Sequence, residues 1–156
     1  MSNGEVTLAV LADFSKAFDT VDYSKMMSTL NEMGFSKSFS YLILDYLSDR
    51  QQFVQVDDKK SVNRLVKFGV PQGSILGPVL FKLYVVKMKT AIKNSSSVQY
   101  ADDTNLYMHT KVSKLQTCAA ALQTDANGLN EWANDSNLLL NAKKKRKPCC
   151  LVRVRW

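Results

Sequence analysis

The chain has 156 residues, 46% apolar and 22% charged, the ordinary composition of one soluble globular domain with a real core; no apolar run approaches the ~18 residues of a membrane span. Its +7 formal charge lies wholly at the end: residues 1–142 carry 14 Lys/Arg and 14 Asp/Glu, and the excess sits in the Lys143 to Lys147 run with Arg153 and Arg155. The first five residues lack the basic and apolar regions of a signal peptide, and three cysteines, two of them adjacent, do not read as a disulfide framework, so the expected setting is intracellular, in cytoplasm or nucleus, not secreted.

In chain order, Val6 to Ala12 reads as a buried strand ending at Asp13. Phe14 to Val21 leads into a helix that Asp22 or Ser24 can cap, with Met26, Met27, Leu30 and Met33 on one face and Gly34 placed to stop it. Ser36 can cap a second helix, where Phe39, Leu42, Ile43, Tyr46 and Leu47 recur at helical spacing. Gln52 to Val56 and Val62 to Phe68 flank Asp57-Asp58-Lys59-Lys60 as a hairpin with a polar turn. Arg50, before it, is expected to be exposed.

Pro71 and Gly73 punctuate the chain. Ser74 can cap a helix to about Lys93, with Leu76, Val79, Leu80, Leu83 and Ile92 inward and Gly77-Pro78 in its first turn. Val98 to Ala101 and Asn105 to His109 form a tight hairpin around Asp102-Asp103. From about Lys111 a long helix carries Leu115, Cys118, Ala119, Leu122, Ala126, Leu129 and Ala133 on one side. Cys118 reads as a buried thiol, and Gly128 weakens the helix by about 1 kcal/mol relative to Ala. Asn134 to Asn137 is a turn and Leu138 to Leu140 a last short strand. With residues 22–68 set aside, the order is strand, helix, strand, strand, helix, strand, the α+β ferredoxin-like βαββαβ arrangement with a helical pair and a β-hairpin inserted after the first strand. That order brings Asp13 beside the Asp102-Asp103 hairpin.

A carboxylate at a strand end with two adjacent carboxylates at a turn is what two-metal nucleotidyl transfer requires: a 3′-hydroxyl attacks an α-phosphate, and charge develops on both the attacking and leaving oxygens. Mg²⁺ prefers a few carboxylates with waters and substrate phosphates, so few protein ligands suffice. An Asp-Asp pair alone is a common turn element. Asp57-Asp58 is the same dipeptide without a partner motif and serves as an internal control.

The joint pattern carries more. Leu11-Ala12-Asp13-Phe14-Ser15-Lys16-Ala17-Phe18-Asp19-Thr20-Val21-Asp22, Gly69 to Pro78 with Phe81, and Tyr100-Ala101-Asp102-Asp103-Thr104-Asn105-Leu106 resemble, in this order, the three palm motifs of non-LTR (LINE-type) retrotransposon reverse transcriptases. Leu44 to Val54, Trp132 and Leu138 to Asn141 match the same family, and the resemblance covers about residues 6–147. It implies an RNA-directed DNA polymerase palm with part of the fingers over residues 1–142, followed by a divergent basic tail at 143–156. It also implies two Mg²⁺ ions, with Mn²⁺ as a substitute, and an RNA template, a DNA primer and deoxynucleoside triphosphates as partners, without a membrane.

By the same resemblance, Asp13 and Asp102 would bridge the metals and Asp103 would complete the acidic group. Phe18 would stand under the sugar and exclude a 2′-hydroxyl. Gln72 would contact the nucleotide or template–primer, Gly73 would let backbone approach, and Tyr100 would pack near the primer end. Lys144 aligns with a lysine that would protonate the leaving pyrophosphate. Asp19 reads as structural and His109 as a strand-end residue.

Three departures from the family pattern stand out. Val85-Val86-Lys87 replaces a usual Asn-Asp pair, the chain after Asn141 reads like a truncation or frame change, and the triphosphate-binding fingers, the thumb and an endonuclease are not represented. A non-catalytic remnant, binding nucleic acid at most weakly through its basic tail, is the alternative. A group II intron-type polymerase is a third reading, against which the Ser15-Lys16-Ala17-Phe18-Asp19 segment argues. Oligomeric state is not legible.

Overall fold

A computed structural model describes residues 5–141 and 150–152. Its strands are β1 (Glu5–Ser15), β2 (Gln51–Gln52), β3 (Gln55–Val56), β4 (Lys59–Lys60), β5 (Arg64–Leu65), β6 (Ser96–Tyr100), β7 (Asp103–Lys111), β8 (Leu139–Leu140) and β9 (Cys150–Val152). Its helices are α1 (Tyr23–Glu32), α2 (Lys37–Leu47), α3 (Gly77–Tyr84) and α4 (Leu115–Asp135), with short 3-10 turns at Ala17–Asp19, Val86–Ala91 and Val112–Lys114. The chain divides into two compact units, one drawn from Met1–Ala17 and Val85–Trp156, the other Phe18–Tyr84.

The first unit is an antiparallel sheet in the order β6-β7-β1-β8, with β9 also on β1. β1 pairs with β7 along its length, from Glu5 opposite Lys111 to Asp13 opposite Asp103. Leu8, Ala12 and Phe14 are its buried side chains, and they alternate with less buried neighbours as a pleated strand requires. α4 lies on β7 and β1 and buries Cys118, Leu122, Leu129 and Ala133, one stripe at helical spacing; Cys118 is a buried free thiol, as expected. The strand at Cys150–Val152 was not expected from a basic tail: its backbone pairs with Thr7 to Ala9.

The second unit is helical, with a β arm. Asp22 caps α1 by accepting from the Lys25 amide at 3.0 Å, and Ser36 caps α2 by accepting from the Phe39 amide at 3.2 Å. Gly34, at φ +82°, follows the end of α1. α1 packs on α2 and α3, and Met26, Leu30, Ile43, Leu47, Leu80 and Phe81 on these helices are buried. Burial pushes the Tyr84 hydroxyl up to about 12, against the opposing effect of its hydrogen bond with the Asp22 amide. The expected hairpin is present in two short ladders, β2 with β5 and β3 with β4, and Asp57, at φ +50°, opens its turn.

The structure corrects the apolar faces in places. Met33 (41% exposed), Leu42 (63%), Leu76 (42%) and Val79 (53%) face outward. α2 buries the Ser40, Ile43, Leu47 stripe, and Leu42 sits one position, about 100°, round the helix from it. α3 starts at Gly77, so Leu76 precedes it, and Val79 is the same step away from Leu80. The single helix expected to reach Lys93 ends at Tyr84 and gives way to the 3-10 turn. The β-branched pair Val85-Val86 favours helix poorly, and α4 captures the chain from Ala91 to Ser95 in a fixed place.

Candidate active site

In the first unit the hairpin differs by one residue from the sequence reading. Tyr100 pairs with Asp103, so the connection is the two-residue turn Ala101-Asp102, the shortest common hairpin loop. Ala101 takes the left-handed φ of +53° that this turn requires. Asp103 is therefore the first residue of β7 rather than part of the turn. On its other side β7 sets Asp103 opposite Asp13, and directly opposed residues of an antiparallel pair project to the same face. Asp102 sits at the turn, and Tyr100, 83% exposed, ends β6 beside it.

Asn141 secures Asp13 twice. Its amide donates to the Asp13 carbonyl at 2.8 Å, and its Nδ2 donates to Asp13 Oδ2 at 3.1 Å. Among the described residues no three His, Cys, Asp or Glu side chains gather closely enough to hold a metal by themselves. Buried Thr104, next to Asp103, reaches Met88 Sδ at 3.7 Å and ties the start of β7 into the core. His109 pairs with Thr7 on the exposed ladder, Nδ1 to Oγ1 at 2.8 Å.

In the second unit the Gly69 to Ser74 loop is tied to the turn at Phe18-Asp19. The Gly69 amide donates to Val21 O and the Val70 amide to Phe18 O, both at 2.8 Å. Gly69, at φ +86°, lies so close to that turn that a Cβ would meet Phe18 O and Asp19 Cα at 2.8 Å. Gly73, at φ +79°, has nothing within 4 Å of its Cβ position.

Gln72 donates through Nε2 to Asp19 Oδ1 at 2.7 Å, and Phe18 stacks on Phe81 with ring centroids 4.7 Å apart. Ser74 accepts from the Gly77 amide at 2.9 Å and starts α3, as its position predicted. A cleft of about 460 Å³ is lined by Asp19, Arg50, Gln52, Phe68, Pro71 and Gln72, among others.

Arg50 is not the exposed residue the sequence suggested. Its Nη2 donates to Gly69 O at 2.6 Å and Tyr23 Oη at 2.9 Å, and its Nε donates to Leu47 O at 3.1 Å. The planar fork of a guanidinium suits it to hold several acceptors at once. Tyr23 also donates to Gly69 O at 3.2 Å. The last turn of α2, the start of α1 and the loop bearing Gln72 are thereby joined.

Asp125 was missed by the sequence reading. It lies on the buried stripe of α4, three residues after Leu122 and four before Leu129, and is 2% exposed. A carboxylate on an apolar stripe was the available signal, since such a group is rarely buried without partners. Burial raises its pKa, but hydrogen bonds from Ser95, Lys93 and Asn94 outweigh that and bring it down to about 2. One turn on, Gly128 lets Ala91 O approach to 2.8 Å of its Cβ position. The glycine that weakens the helix is what allows this contact. Lys144 lies outside the described residues.

A profile of the family described as reverse transcriptase (RNA-dependent DNA polymerase) matches residues 1–149. The chain is 28% identical to the RNA-directed DNA polymerase from mobile element jockey of Drosophila melanogaster, over 92% of this chain and 16% of that protein. It is 28% identical to a probable RNA-directed DNA polymerase from transposon BS of the same organism, over 94% of this chain and 17% of that protein. The chain thus spans about a sixth of the length of these relatives. In fold it is similar to apo telomerase from Candida tropicalis truncated from its C-terminal domain, with a TM-score of 0.63, 13% identity, and coverage of 90% of this chain and 30% of that one.

Proposed function

This chain belongs to the reverse transcriptase (RNA-dependent DNA polymerase) family, in the branch carried by non-LTR retrotransposons, and on that premise we propose that it is the palm, with part of the fingers, of an enzyme that extends a DNA primer with deoxynucleotides on an RNA template. In this reading the palm and partial fingers occupy residues 1–142 and a basic tail follows at 143–156. The sheet order β6-β7-β1-β8, with a helix following β7 and leading to β8, supports a ferredoxin-like palm. The observation that carries most weight is the pairing of Asp13 with Asp103 beside a turn that holds Asp102.

Like charges directly opposed on a ladder cost stability, and hard carboxylate oxygens fit Mg²⁺ or Mn²⁺, which need few protein ligands when waters and substrate phosphates complete the shell. Asp13, Asp102 and Asp103 would hold two such ions. When bound, the ions supply charge neutralisation for the primer 3′-oxygen and the leaving pyrophosphate. Asn141 keeps the Asp13 carboxylate in orientation, so the fold does not have to order it when substrate arrives.

Phe18, backed by Phe81, would exclude a 2′-hydroxyl. Gln72 would meet the nucleotide or template–primer, and Asp19, by accepting from Gln72, would set its amide orientation. Gly73 would leave room for backbone approach, exposed Tyr100 would pack near the primer end, and Lys144 would donate a proton to pyrophosphate. Among the described residues no helix is long and apolar enough to cross a membrane.

The test is primer extension on an RNA template by a hybrid polymerase in which residues 5–141 replace the matching segment of the jockey enzyme. Asp13→Asn and Asp102→Asn each abolish extension, while Asp57→Asn with Asp58→Asn leaves it intact. Extension that survives Asp102→Asn overturns the assignment, and a folded hybrid with no activity at all favours the non-catalytic remnant.

A further inference from the structure

We propose that Asp125 is a positioning residue that sets the register of β6 and through it the place of Asp102; the inference rests on the reading of Asp13, Asp102 and Asp103 as the metal-holding group. The two strands of the hairpin are held very differently. β7 lies between β6 and β1 and buries Thr104 and Leu106, so the core fixes its register and with it Asp103. β6 is at the end of the sheet order and buries none of Ser96, Ser97, Val98, Gln99 or Tyr100. A strand without a buried face is weakly specified in register, and a slip of one residue turns every side chain to the other face. Asp102 stands in the turn between the two strands, so its position depends on β6 in a way that Asp103's does not.

What fixes β6 is the chain immediately before it. The Asp125 carboxylate accepts five hydrogen bonds from three consecutive residues that end where β6 begins. Oδ1 takes the Lys93 amide at 3.1 Å and Asn94 Nδ2 at 2.9 Å. Oδ2 takes the Asn94 amide at 2.9 Å, the Ser95 amide at 2.6 Å and Ser95 Oγ at 2.7 Å. The contact of Gly128 with Ala91 O holds the same segment one turn along α4. α4 is itself anchored on the sheet by Leu122 and Leu129, both buried. A charged acceptor with all these donors converging on it is a rigid anchor. From Ser96 the strand then has five residues in which to reach the turn, and no freedom to shift.

The experiment uses the 156-residue chain, labelled with ¹⁵N, as wild type and as Asp125→Asn, with Mn²⁺ alone as the probe. Amide exchange reads the register of β6 against the Leu8 and Val10 amides of β1. Paramagnetic broadening reads metal proximity at Asp102 separately from Asp13 and Asp103. In Asp125→Asn, exchange along β6 rises at least tenfold relative to β1. Broadening at Ala101 and Asp102 weakens at least threefold relative to Asp13 and Asp103, a selective change that a merely global loss of stability does not produce.

Unchanged exchange ratios in the folded variant overturn the proposal, and faster exchange with undiminished broadening at Asp102 overturns its link to the site. If Asp125→Asn does not fold, Ser95→Ala with Asn94→Ala removes two of the five bonds, and the same ratios decide, with unchanged values counting against. If Mn²⁺ broadens none of the three aspartates in the wild type, it is the metal reading that fails, and the exchange ratio alone settles the register claim.

Discussion

Gly69→Ala and Gly73→Ala place the same methyl group four residues apart in one loop, at nearly the same backbone conformation, φ +86° and +79°. Each substitution forces an L-residue into the left-handed region, at about 1–2 kcal/mol. At Gly73 that is the whole cost, because nothing lies within 4 Å of the new Cβ. At Gly69 the Cβ meets Asp19 Cα and Phe18 O at 2.8 Å and Asp19 C at 2.9 Å. These are backbone atoms, which cannot rotate aside as a side chain does. Relief requires the Phe18-Asp19 turn to move away, and that stretches the Gly69–Val21 and Val70–Phe18 hydrogen bonds, both 2.8 Å. Overpacking of this kind adds roughly 1–3 kcal/mol, so Gly69→Ala loses about 2–5 kcal/mol in all, adding the conformational cost. In urea, followed by far-UV circular dichroism, a difference of about 2 kcal/mol separates the two midpoints by about 1 M at the usual slope for small proteins. Equal midpoints, or a lower midpoint for Gly73→Ala, would refute the reasoning and remove Gly69 as the point of close approach.

Three further outcomes are expected. The Asp125 pKa is depressed on folding from 3.8 to about 2, so its stabilisation, on the order of 2–3 kcal/mol, is fully present above pH ~4 and is lost as pH falls through ~2; urea midpoints at pH 6, 4, 3 and 2 test this, and a wild-type advantage over Asp125→Asn that does not shrink toward pH 2 counts against it. Arg50→Ala leaves Gly69 O without its charged donor and costs about 1.5–3 kcal/mol in urea unfolding, with Arg50→Lys intermediate because a point charge cannot serve three acceptors in a fork; a lysine variant as stable as wild type shows that the fork is not needed. In the hybrid polymerase, Phe18→Ala raises ribonucleotide incorporation relative to deoxynucleotide by about tenfold or more, since removing a steric block acts on discrimination; unchanged discrimination with normal activity returns Phe18 to packing against Phe81.

Features written in local pattern are legible without the fold. The strand leading to Asp13, the caps at Asp22, Ser36 and Ser74, the Asp57 turn and the buried stripe of α4 all follow from side-chain alternation, helical spacing and the short reach of a hydroxyl or carboxylate to its own backbone. The three motifs also gave the family, because residue types in a fixed order survive without any knowledge of contacts. Features that need long-range contacts are of another kind. Whether Leu42 or Ile43 turns inward depends on which stripe finds a partner. The turn at Ala101-Asp102 depends on how β6 registers on β7, and that is set by Asp125 roughly thirty residues further along the chain. Arg50 reads as a solvated helix end until Gly69 and Tyr23 are folded beside it. Local propensity has a range of a few residues. A carboxylate or guanidinium that gathers backbone groups from distant segments leaves no periodic trace, and in this chain those two groups hold the hairpin and the loop that carry the candidate chemistry.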